Sequence, residues 1–475
     1  MSSAADAVAH SPRWEPAPSQ TSAWLERGLA LASRSHLLTY VALPTPIASA
    51  PPIVDRFGDQ PVATWTSNEL TLVGIGIARE IRGSGDKRWD QVIGRAHELV
   101  PAGDAPCVVI AGEPAPIDAL GFARPRLIGG GAFAPGAADR APWTGFGDAW
   151  FALPRWSYVH DGKRAFIVLA IDAHDADDRA RWHRELAQIH EGMIGSPSMP
   201  RSQPALVERE RADHATWRAQ VTSITDAIAR GTCSKIVAAR TCGVTLAGQI
   251  NAATLLETLD REHADCVRVA IRPPGGATLI AATPERLIRR DGDVVLCDAL
   301  AGSISRARAA GSAELLESAK DRREHDLVVQ GIRAVLESRG AVVDAPATPV
   351  VRTLRHVLHL HTPFRAVLRE RQHVLSIAAQ LHPTPAVGGT PTDVATAWIR
   401  AHEPSPRGWY AAPVGWFDLE GNGELAVALR CAVISGHRAQ LWAGAGIVAG
   451  SDPDHELAET EMKLRAILGP LGVSA

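Results

Sequence analysis

The stretch SKIVAARTC, residues 234–242, begins with a lysine and continues with β-branched and small residues. Read with the two-residue repeat of a strand, Lys235, Val237 and Ala239 share one face, and the opposite face ends in Arg240. Neither face is cleanly apolar. The run predicts a strand that belongs in an interior, and it raises the question of why this strand carries an amine where hydrocarbon is expected.

The elements on both sides of this stretch indicate the fold class. A helix is predicted from about residue 208 to 229, and further helices and strands follow without a regular alternation. This order favours a mixed α+β fold with much antiparallel sheet. Upstream, residues 21–192 combine strand-like runs at 107–111 and 165–171 with a Gly- and Pro-rich turn at 128–137.

The chain divides at one candidate connector. Residues 195–205, GSPSMPRSQPA, are dense in Pro and Ser, which is typical of a loop. We therefore expect a flexible tail over residues 1–20, an N-terminal α+β portion over 21–200 and a second portion over 206–475. The N-terminal portion offers little chemistry, so the candidate functional residues lie in the second portion.

Composition limits the classes of partner. A chain of 475 residues with 46% hydrophobic content is ordinary for a globular protein. Its net charge of −3, from 49 basic and 52 acidic residues, gives no reason to expect binding to nucleic acid or to an anionic membrane. The sequence contains no run of eighteen apolar residues and no export signal, and its six cysteines form no CxxC pair. A small-molecule ligand and a cytoplasmic location are expected.

Two predicted helices carry paired carboxylates. Near the C-terminus, Glu456, Glu459 and Lys463 are spaced i, i+3 and i+7, so they share one helix face. In the segment KDRREH, Asp321 and Glu324 repeat the i, i+3 spacing. A single face of this kind is better explained as a charged surface exposed to solvent. Two such faces together predict a site for a hard cation, and carboxylates that retain water suit Mg²⁺.

The segment before the C-terminal helix, WAGAGIVAG at residues 442–450, imitates a dinucleotide-binding fingerprint. Only 25 residues follow it, too few for the second strand and the acidic residue that such a unit requires. Asp452 or Ser451 can cap the following helix, with Pro453 at its first position. We interpret the glycines as positions where a ligand can approach the backbone closely.

Three further groups have a functional and a simple structural interpretation. Arg430, at the end of a strand-like alternation, is either a two-point ligand for a carboxylate or a surface arginine. Glu285 stands beside several arginines, where a salt-bridged turn is the simple alternative. His356, His359 and His361 resemble a zinc cluster, but only two of them share a strand face. No cysteine or carboxylate completes the set, so a structural zinc is not predicted.

Taken together, these residues resemble a known family. From about residue 233 to 468 the chain closely resembles the chorismate-utilising enzymes, and within them the isochorismate synthases. The matching blocks are SKIVAAR, ATPERLI, DALAGS, KDRREH, HLHTPF, LHPTPAVGG, EPSPRGWY, LRCAV, AGAGIV and SDPDHELAETEMK. The resemblance implies one α+β unit of two large, mainly antiparallel sheets packed together, with helices outside and the substrate in a cleft. It implies that residues 206–475 form the catalytic portion and that 21–200 are a divergent part of the same fold.

The resemblance also assigns two catalytic roles. Lys235 matches the general base that takes a proton from water as the water attacks C2 of chorismate. Glu285 matches the general acid that protonates the C4 hydroxyl as it departs. Burial favours the neutral form of both groups, which is the form that each role requires. A dry interior would therefore explain the lysine in the strand.

The same resemblance implies ligands for the metal and the substrate. Glu324 and Glu459 match Mg²⁺ ligands that hold the ring carboxylate of chorismate, with Asp321 and Glu456 beside them. The positions that match substrate-binding residues are Gly302, His359, Ala386, Val387, Tyr410, Arg430, Gly446 and Lys463.

Within the family, Lys235 favours water as the nucleophile, because the synthases that add ammonia usually lack it. We therefore expect isochorismate synthase activity, no glutaminase subunit, and a monomer or weak homodimer. Salicylate synthase, which shares the lysine and releases pyruvate, is the first alternative. A catalytically silent, regulatory chorismate-binding protein is an alternative of another class. The pathway stays open between salicylate or siderophore synthesis and menaquinone synthesis.

Overall fold

A computed structural model of the chain describes residues 18–55, 57–99, 107–194, 202–306, 312–355 and 357–473. Two large β-sheets lie at the centre of this part of the chain, and helices pack on their outer faces. The α+β class and the two mainly antiparallel sheets that the sequence predicts are confirmed.

The described residues form twenty-four strands and eleven α-helices. The strands are β1 (Thr39–Thr45), β2 (Val62–Thr66), β3 (Thr71–Ile75), β4 (Arg79–Gly83), β5 (Cys107–Ile110), β6 (Glu113–Ala115), β7 (Arg126–Gly131), β8 (Ala149–Leu153), β9 (Trp156–His160), β10 (Ala165–Ile171), β11 (Leu206–Arg209), β12 (Lys235–Leu246), β13 (Val267–Arg272), β14 (Thr278–Thr283), β15 (Arg286–Asp291), β16 (Val294–Ser305), β17 (Val342–Asp344), β18 (Val350–Thr353), β19 (Val357–Val367), β20 (Gly389–Thr390), β21 (Pro413–Asp418), β22 (Gly423–Val427), β23 (Cys431–Ser435) and β24 (Arg438–Ile447). The helices are α1 (Pro18–Ala32), α2 (Ala50–Asp55), α3 (Arg88–His97), α4 (Arg179–Ile194), α5 (His214–Ala229), α6 (Ala252–Glu262), α7 (Ser312–Glu317), α8 (Ala319–Ser338), α9 (Val374–Leu381), α10 (Thr392–His402) and α11 (Pro453–Leu468).

Both sheets combine strands from the two halves of the chain. Across the described residues, the larger sheet has fourteen strands in the order β11-β12-β24-β23-β14-β13-β2-β3-β9-β10-β1-β5-β6, with β20 paired to β12. The smaller has ten in the order β17-β19-β16-β15-β22-β21-β7-β8-β4, with β18 paired to β19. In the larger sheet β13 pairs with β2, and in the smaller sheet β21 pairs with β7. The N-terminal residues therefore extend the same sheets that carry the C-terminal strands.

The main core lies between the two sheets. Trp65 and Val269 of the larger sheet and Leu127 and Phe417 of the smaller sheet belong to one cluster, in which each of these four side chains is at most 1% exposed. On the outer faces of the larger sheet, separate clusters pack the sheet against α1, α2 and α4, and against α6 and α11. Burial of apolar area at about 25 cal/mol per Å² makes these layers the main favourable contribution to folding. No helix within the described ranges is long and apolar enough to cross a membrane.

The strand predicted from the opening stretch is β12. It pairs with β24 from Ile236 opposite Ile447 to Thr245 opposite Arg438, and its first residue, Lys235, lies opposite Thr390 of β20. Because β12 has neighbours on both sides at this end, its lysine begins inside the sheet.

The predicted helix at 208–229 was wrong at its start. Leu206–Arg209 instead forms the edge strand β11 beside β12. Asp213 then caps α5, because its side chain accepts hydrogen bonds from the amides of Ala215 and Thr216. The short edge strand pairs with a distant part of the sequence, which the local pattern does not reveal.

Other boundaries also differ from the predictions. Residues 18–20, assigned to the tail, belong to α1, and residues 1–17 and 195–201 lie outside the described residues. The predicted turn at 128–137 begins as the second half of β7. Its glycines are needed for close packing: a Cβ at Gly131 would lie 2.5 Å from Cη2 of Trp89.

Candidate active site

A pocket lies where strands of both sheets meet α8 and α11. All its lining residues are numbered above 236, so this wall is built from the C-terminal part of the chain. The predicted site residues that line it are Glu285, Gly302, Glu324, His359, Ala386, Val387, Tyr410, Arg430, Gly446, Glu459 and Lys463. The other three predicted residues, Lys235, Asp321 and Glu456, are not among its lining residues.

Lys235 lies directly behind the pocket wall and is 0% exposed. Its Nζ donates a hydrogen bond to Oε1 of Glu324 at 2.8 Å, which makes a buried ion pair between β12 and α8. Gly446 of the neighbouring strand leaves room for this pair, because a Cβ there would lie 2.4 Å from Glu324 Oε1 and 2.9 Å from Lys235 Cε. The amine is buried as expected, but its partner is a residue that the sequence had assigned to the metal.

Glu285 follows β14 and is 5% exposed. Among the described residues, no group donates a hydrogen bond to its carboxyl. Burial raises the pKa of Glu285 to about 8; the positive charges of Lys235, Lys463 and Arg430 oppose this shift, and the negative charge of Asp298 adds to it. The carboxyl therefore keeps its proton at neutral pH, as a general acid must.

The salt-bridged turn considered for Glu285 is not what the structure shows. The arginine that follows it, Arg286, pairs through Nε with Glu424 Oε1 at 2.9 Å. Arg352 donates from Nη1 to the carbonyl oxygen of Pro284 at 3.1 Å. The arginines hold the backbone around Glu285, and its side chain points away from them into the pocket wall.

Arg430 lies at the bend between β22 and β23, with a φ of 47°. Its Nη2 contacts Nε2 of His359 at 3.2 Å, and Nδ1 of His359 lies 2.8 Å from Oγ of Ser303. Burial, and then the charges of Arg430 and Lys463, hold the pKa of His359 well below its usual range. Because a guanidinium only donates, Nε2 accepts and the imidazole proton is on Nδ1. His359 is thus neutral and orients Arg430 and Ser303.

The wall around Arg430 is suited to an anion. Tyr410 is 3% exposed, and burial raises its pKa, so its phenol stays neutral and able to donate. Lys463 donates from Nζ to the carbonyl oxygen of Gly444 at 2.9 Å and pairs with Glu459 at 2.7 Å. A guanidinium, an ammonium and a phenol therefore line one small pocket, which favours a negatively charged ligand.

Only two of the four predicted metal ligands line the pocket. Glu324 and Glu459 line the pocket, and Glu456, 2% exposed, lies beside them and pairs with Lys320 at 2.9 Å. Asp321 instead accepts hydrogen bonds from the hydroxyl of Ser318, the N-cap of α8, and from a backbone amide. Asp321 therefore stabilises the helix start, which the spacing of acidic residues could not show.

The carboxylates fit a cation in the chemistry of their oxygen atoms. Burial opposes the charge of Lys320, yet the nearby Glu456, Glu324 and Glu459 together raise its pKa. Burial and the neighbouring Glu459 raise the pKa of Glu456. Burial would also raise the pKa of Glu324, but the charges of Lys235, Lys463 and Lys320 outweigh it and lower that pKa. Oxygen ligands of this kind suit Mg²⁺. Lysines hold all three carboxylates here, so a metal ion has to exchange with ammonium groups.

The histidine cluster considered for zinc is divided. His361 contacts Asp298 through Nε2 at 2.9 Å, whereas His359 contacts Arg430; His356 lies outside the described residues. In the described part of the chain, the one group of three metal-ligand side chains with converging atoms is Asp172, His174 and Asp175, none of which lines the pocket. There Asp172 is already bound in two-point fashion by an arginine.

Sequence reasoning missed several lining residues, among them Val237, Leu300, Ser303, Leu429 and Trp442. Strand periodicity could have found two of them. Val237 lies two residues after the predicted base, and Trp442 stands four residues before the predicted Gly446, so each shares a strand face with a predicted residue. Leu300 and Ser303 flank the pocket glycine in the ALAGS block. Leu429 carries no signal in the sequence that separates it from a core residue.

Comparison with known proteins agrees with this geometry. The family described as "Chorismate binding enzyme" matches residues 56–472. The chain is 37% identical over 417 residues to the salicylate biosynthesis isochorismate synthase of Pseudomonas aeruginosa, covering 86% of this chain and 84% of that protein. It is 35% identical over 354 residues to isochorismate synthase MenF of Bacillus subtilis, covering 73% and 75% of the two chains.

A solved structure is similar over almost the whole chain. MenF, the menaquinone-specific isochorismate synthase from Escherichia coli, superposes with a TM-score of 0.77 at 25% identity, and the match covers 95% of this chain and 100% of that one. The extent of these matches includes the N-terminal residues, whose resemblance to the family is weak when judged by motifs alone. The chain therefore belongs to the chorismate binding enzymes.

Proposed function

We propose that this protein is an isochorismate synthase, which converts chorismate to isochorismate by adding water at C2 and removing the C4 hydroxyl. One observation carries the proposal: Glu285, a buried carboxyl that stays protonated at neutral pH, lines the pocket, and a fully buried amine, Lys235, lies behind its wall. The names of the two curated relatives support the same activity.

Lys235 is the general base. It takes a proton from the water that attacks C2, which requires its amine to be uncharged before the reaction. In the structure its charge is stabilised by Glu324 at 2.8 Å. Activation of the base therefore requires that the negative charge on Glu324 be offset by something other than Lys235.

Glu285 is the general acid. It gives its proton to the C4 hydroxyl, which leaves as water while the ring double bonds shift. The base gains one proton and the acid loses one, so the pair is restored by transferring a proton back through solvent. The carboxyl can perform this role up to about the pH at which it ionises, near 8.

Chorismate carries two carboxylates, and the pocket offers a place for each. Arg430 and Tyr410, with the amide of Gly446, suit the enolpyruvyl carboxylate. The ring carboxylate would face the acids, where Glu324 and Glu459 would hold Mg²⁺, with Glu456 next to them. When bound, the ion supplies the positive charge that allows a carboxylate to lie among acidic side chains.

The cellular role follows from the same relatives. One is named for salicylate biosynthesis and another for menaquinone synthesis, so the product would serve one of these routes. All six cysteines are free thiols, which supports a cytoplasmic location. Because the nucleophile is water, we propose that the enzyme works without a glutaminase subunit. We also propose that it is a monomer or a weak homodimer.

The test is a product analysis. Purified protein is incubated with chorismate and Mg²⁺, and the products are separated by chromatography. Lys235→Ala serves as the inactive variant, and Lys163→Ala, at an exposed lysine, serves as the matched control. Isochorismate from the wild type and the control, but not from Lys235→Ala, supports the proposal. Salicylate with pyruvate would indicate a salicylate synthase, and unchanged chorismate would indicate a binding protein.

A further inference from the structure

The charged groups that face the Glu285 carboxyl include three cations, two of which are already paired: Lys235 with Glu324 of α8, and Lys463 with Glu459 of α11. Lys235, Lys463 and Arg430 approach it from β12, α11 and the β22–β23 bend, and each favours its ionised form. Tyr410 is also near, but its phenol is neutral. The carboxyl has no hydrogen-bond donor among the described residues to fix its state. Its protonation therefore depends on burial and on whatever negative charge opposes the cations.

Besides Glu324 and Glu459, Asp298 supplies a negative charge, and this charge raises the pKa of Glu285. Asp298 lies on β16, two residues before the lining residue Leu300 and therefore on the same face of the strand. Its side chain is 10% exposed, and Oδ1 accepts a hydrogen bond from Nε2 of His361 at 2.9 Å. Although burial alone would raise the pKa of Asp298, His361 and two nearby arginines lower it, so the residue stays charged.

The same arginines connect Asp298 to the turn that carries Glu285. Nη1 of Arg286, the next residue in the chain, lies 3.9 Å from Asp298 Oδ2. Nη1 of Arg352 lies 4.0 Å from the same oxygen and also donates to the carbonyl oxygen of Pro284. The charged cluster thus connects Asp298 to the residues on both sides of Glu285, Pro284 and Arg286.

We propose that Asp298, held by His361 behind the pocket, is a positioning residue that keeps the proton on the Glu285 carboxyl by opposing the cations that face it: Arg430 and Lys463, and also Lys235 whenever that amine is protonated. This role rests on the proposed function, because it is the proposed reaction that uses the proton of Glu285. It adds a residue that does not touch the substrate, and it gives the His361 side chain a role in place of metal binding.

The sign of each substitution follows from charge. Asp298→Asn removes a negative charge, so Glu285 ionises more easily, and the basic limb of kcat/KM moves to lower pH by about one unit. Above that limb the loss is roughly tenfold. Arg352→Gln removes a positive charge from the same cluster and moves the limb to higher pH. A role confined to structural support would not produce opposite shifts.

Two further variants control for shape and for net charge. Asp298→Glu keeps the charge and should retain the basic limb of the wild type. Asp293→Asn makes the same chemical change at an exposed position just before the start of β16 and should leave the limb unchanged. If Asp298→Asn is not recovered folded, the upward shift in Arg352→Gln tests the proposal by itself.

A second readout does not need turnover. The pH at which Glu285 ionises is also obtained by comparing the unfolding free energy of each protein with that of its Glu285→Gln version across pH. A wild type that forms no isochorismate would refute the proposed function, while the unfolding data still test Asp298. Equal ionisation pH in wild type, Asp298→Asn and Arg352→Gln, or shifts in one direction in both variants, would overturn the role of Asp298.

Discussion

Replacement of Glu285 with glutamine is expected to stabilise the folded protein while removing its activity. In the unfolded chain the carboxyl has its ordinary pKa of 4.5, and in the folded protein the pKa is raised to about 8. The folded state therefore binds the proton more tightly, and it loses stability as the pH rises from 4.5 to 8. At pH 7 the stability lost is about 3 kcal/mol, because each pH unit between 4.5 and 7 costs about 1.36 kcal/mol.

The sign of the effect makes the prediction specific. Glutamine resembles the protonated carboxyl at every pH, so Glu285→Gln should match the wild type near pH 4.5 and exceed its stability by about 3 kcal/mol at pH 7. The difference in stability stops growing above pH 8, because Glu285 is then ionised in both the folded and the unfolded wild type. Urea unfolding, followed by tryptophan fluorescence at several pH values, measures this difference.

An exposed glutamate is the matched control. Glu98→Gln makes the same chemical change at the surface next to α3 and should not produce this growing stabilisation. If Glu285→Gln is no more stable than the wild type at pH 7, or if its advantage is the same at pH 5 and pH 8, the carboxyl does not stay protonated in the fold. The assignment of Glu285 as a general acid would then lose its physical basis.

Three further outcomes are expected. Lys235→Ala should lower turnover by at least about 10²-fold while Mg²⁺-dependent chorismate binding, measured by calorimetry, survives; near-normal turnover would rule out the lysine as base. Glu459→Gln should reduce activity at least about tenfold, and a chelator should abolish wild-type activity until Mg²⁺ is restored; full activity with the chelator would contradict the metal site. The value of kcat/KM should fall about tenfold per pH unit above about pH 8 as Glu285 ionises, and a flat profile to pH 9.5 would refute this.

Parts of the fold governed by local chemistry could be predicted from the sequence. The C-terminal helix begins at Pro453 behind the cap Asp452, as the capping pattern indicates, and β10 spans Ala165–Ile171, as its apolar run indicates. The edge strand β11 and the glycine-rich end of β7 could not be predicted locally. Both depend on neighbours that are far away in the chain, β12 for one and the ring of Trp89 for the other.

The candidate site shows the same division. The resemblance to a family points to the residues that surround the pocket, and strand periodicity places Lys235 in the sheet. Neither reveals that Lys235 pairs with Glu324, because two residues 89 positions apart meet only in the folded chain. Charge spacing also places Asp321 among the metal ligands, although its carboxylate accepts a hydrogen bond from Ser318, the N-cap of α8. Contacts of this kind depend on how β12, β16 and the two acidic helices pack.

The central claim is that Lys235 and Glu285 together exchange a solvent oxygen at C2 of chorismate for the hydroxyl at C4. It is tested most directly by incubating the wild type with chorismate and Mg²⁺ in ¹⁸O-labelled water and locating the label in the product by mass spectrometry. Isochorismate with one ¹⁸O in its C2 hydroxyl, formed by the wild type and not by Lys235→Ala or Glu285→Gln, is the predicted result. Isochorismate without solvent oxygen would contradict the account.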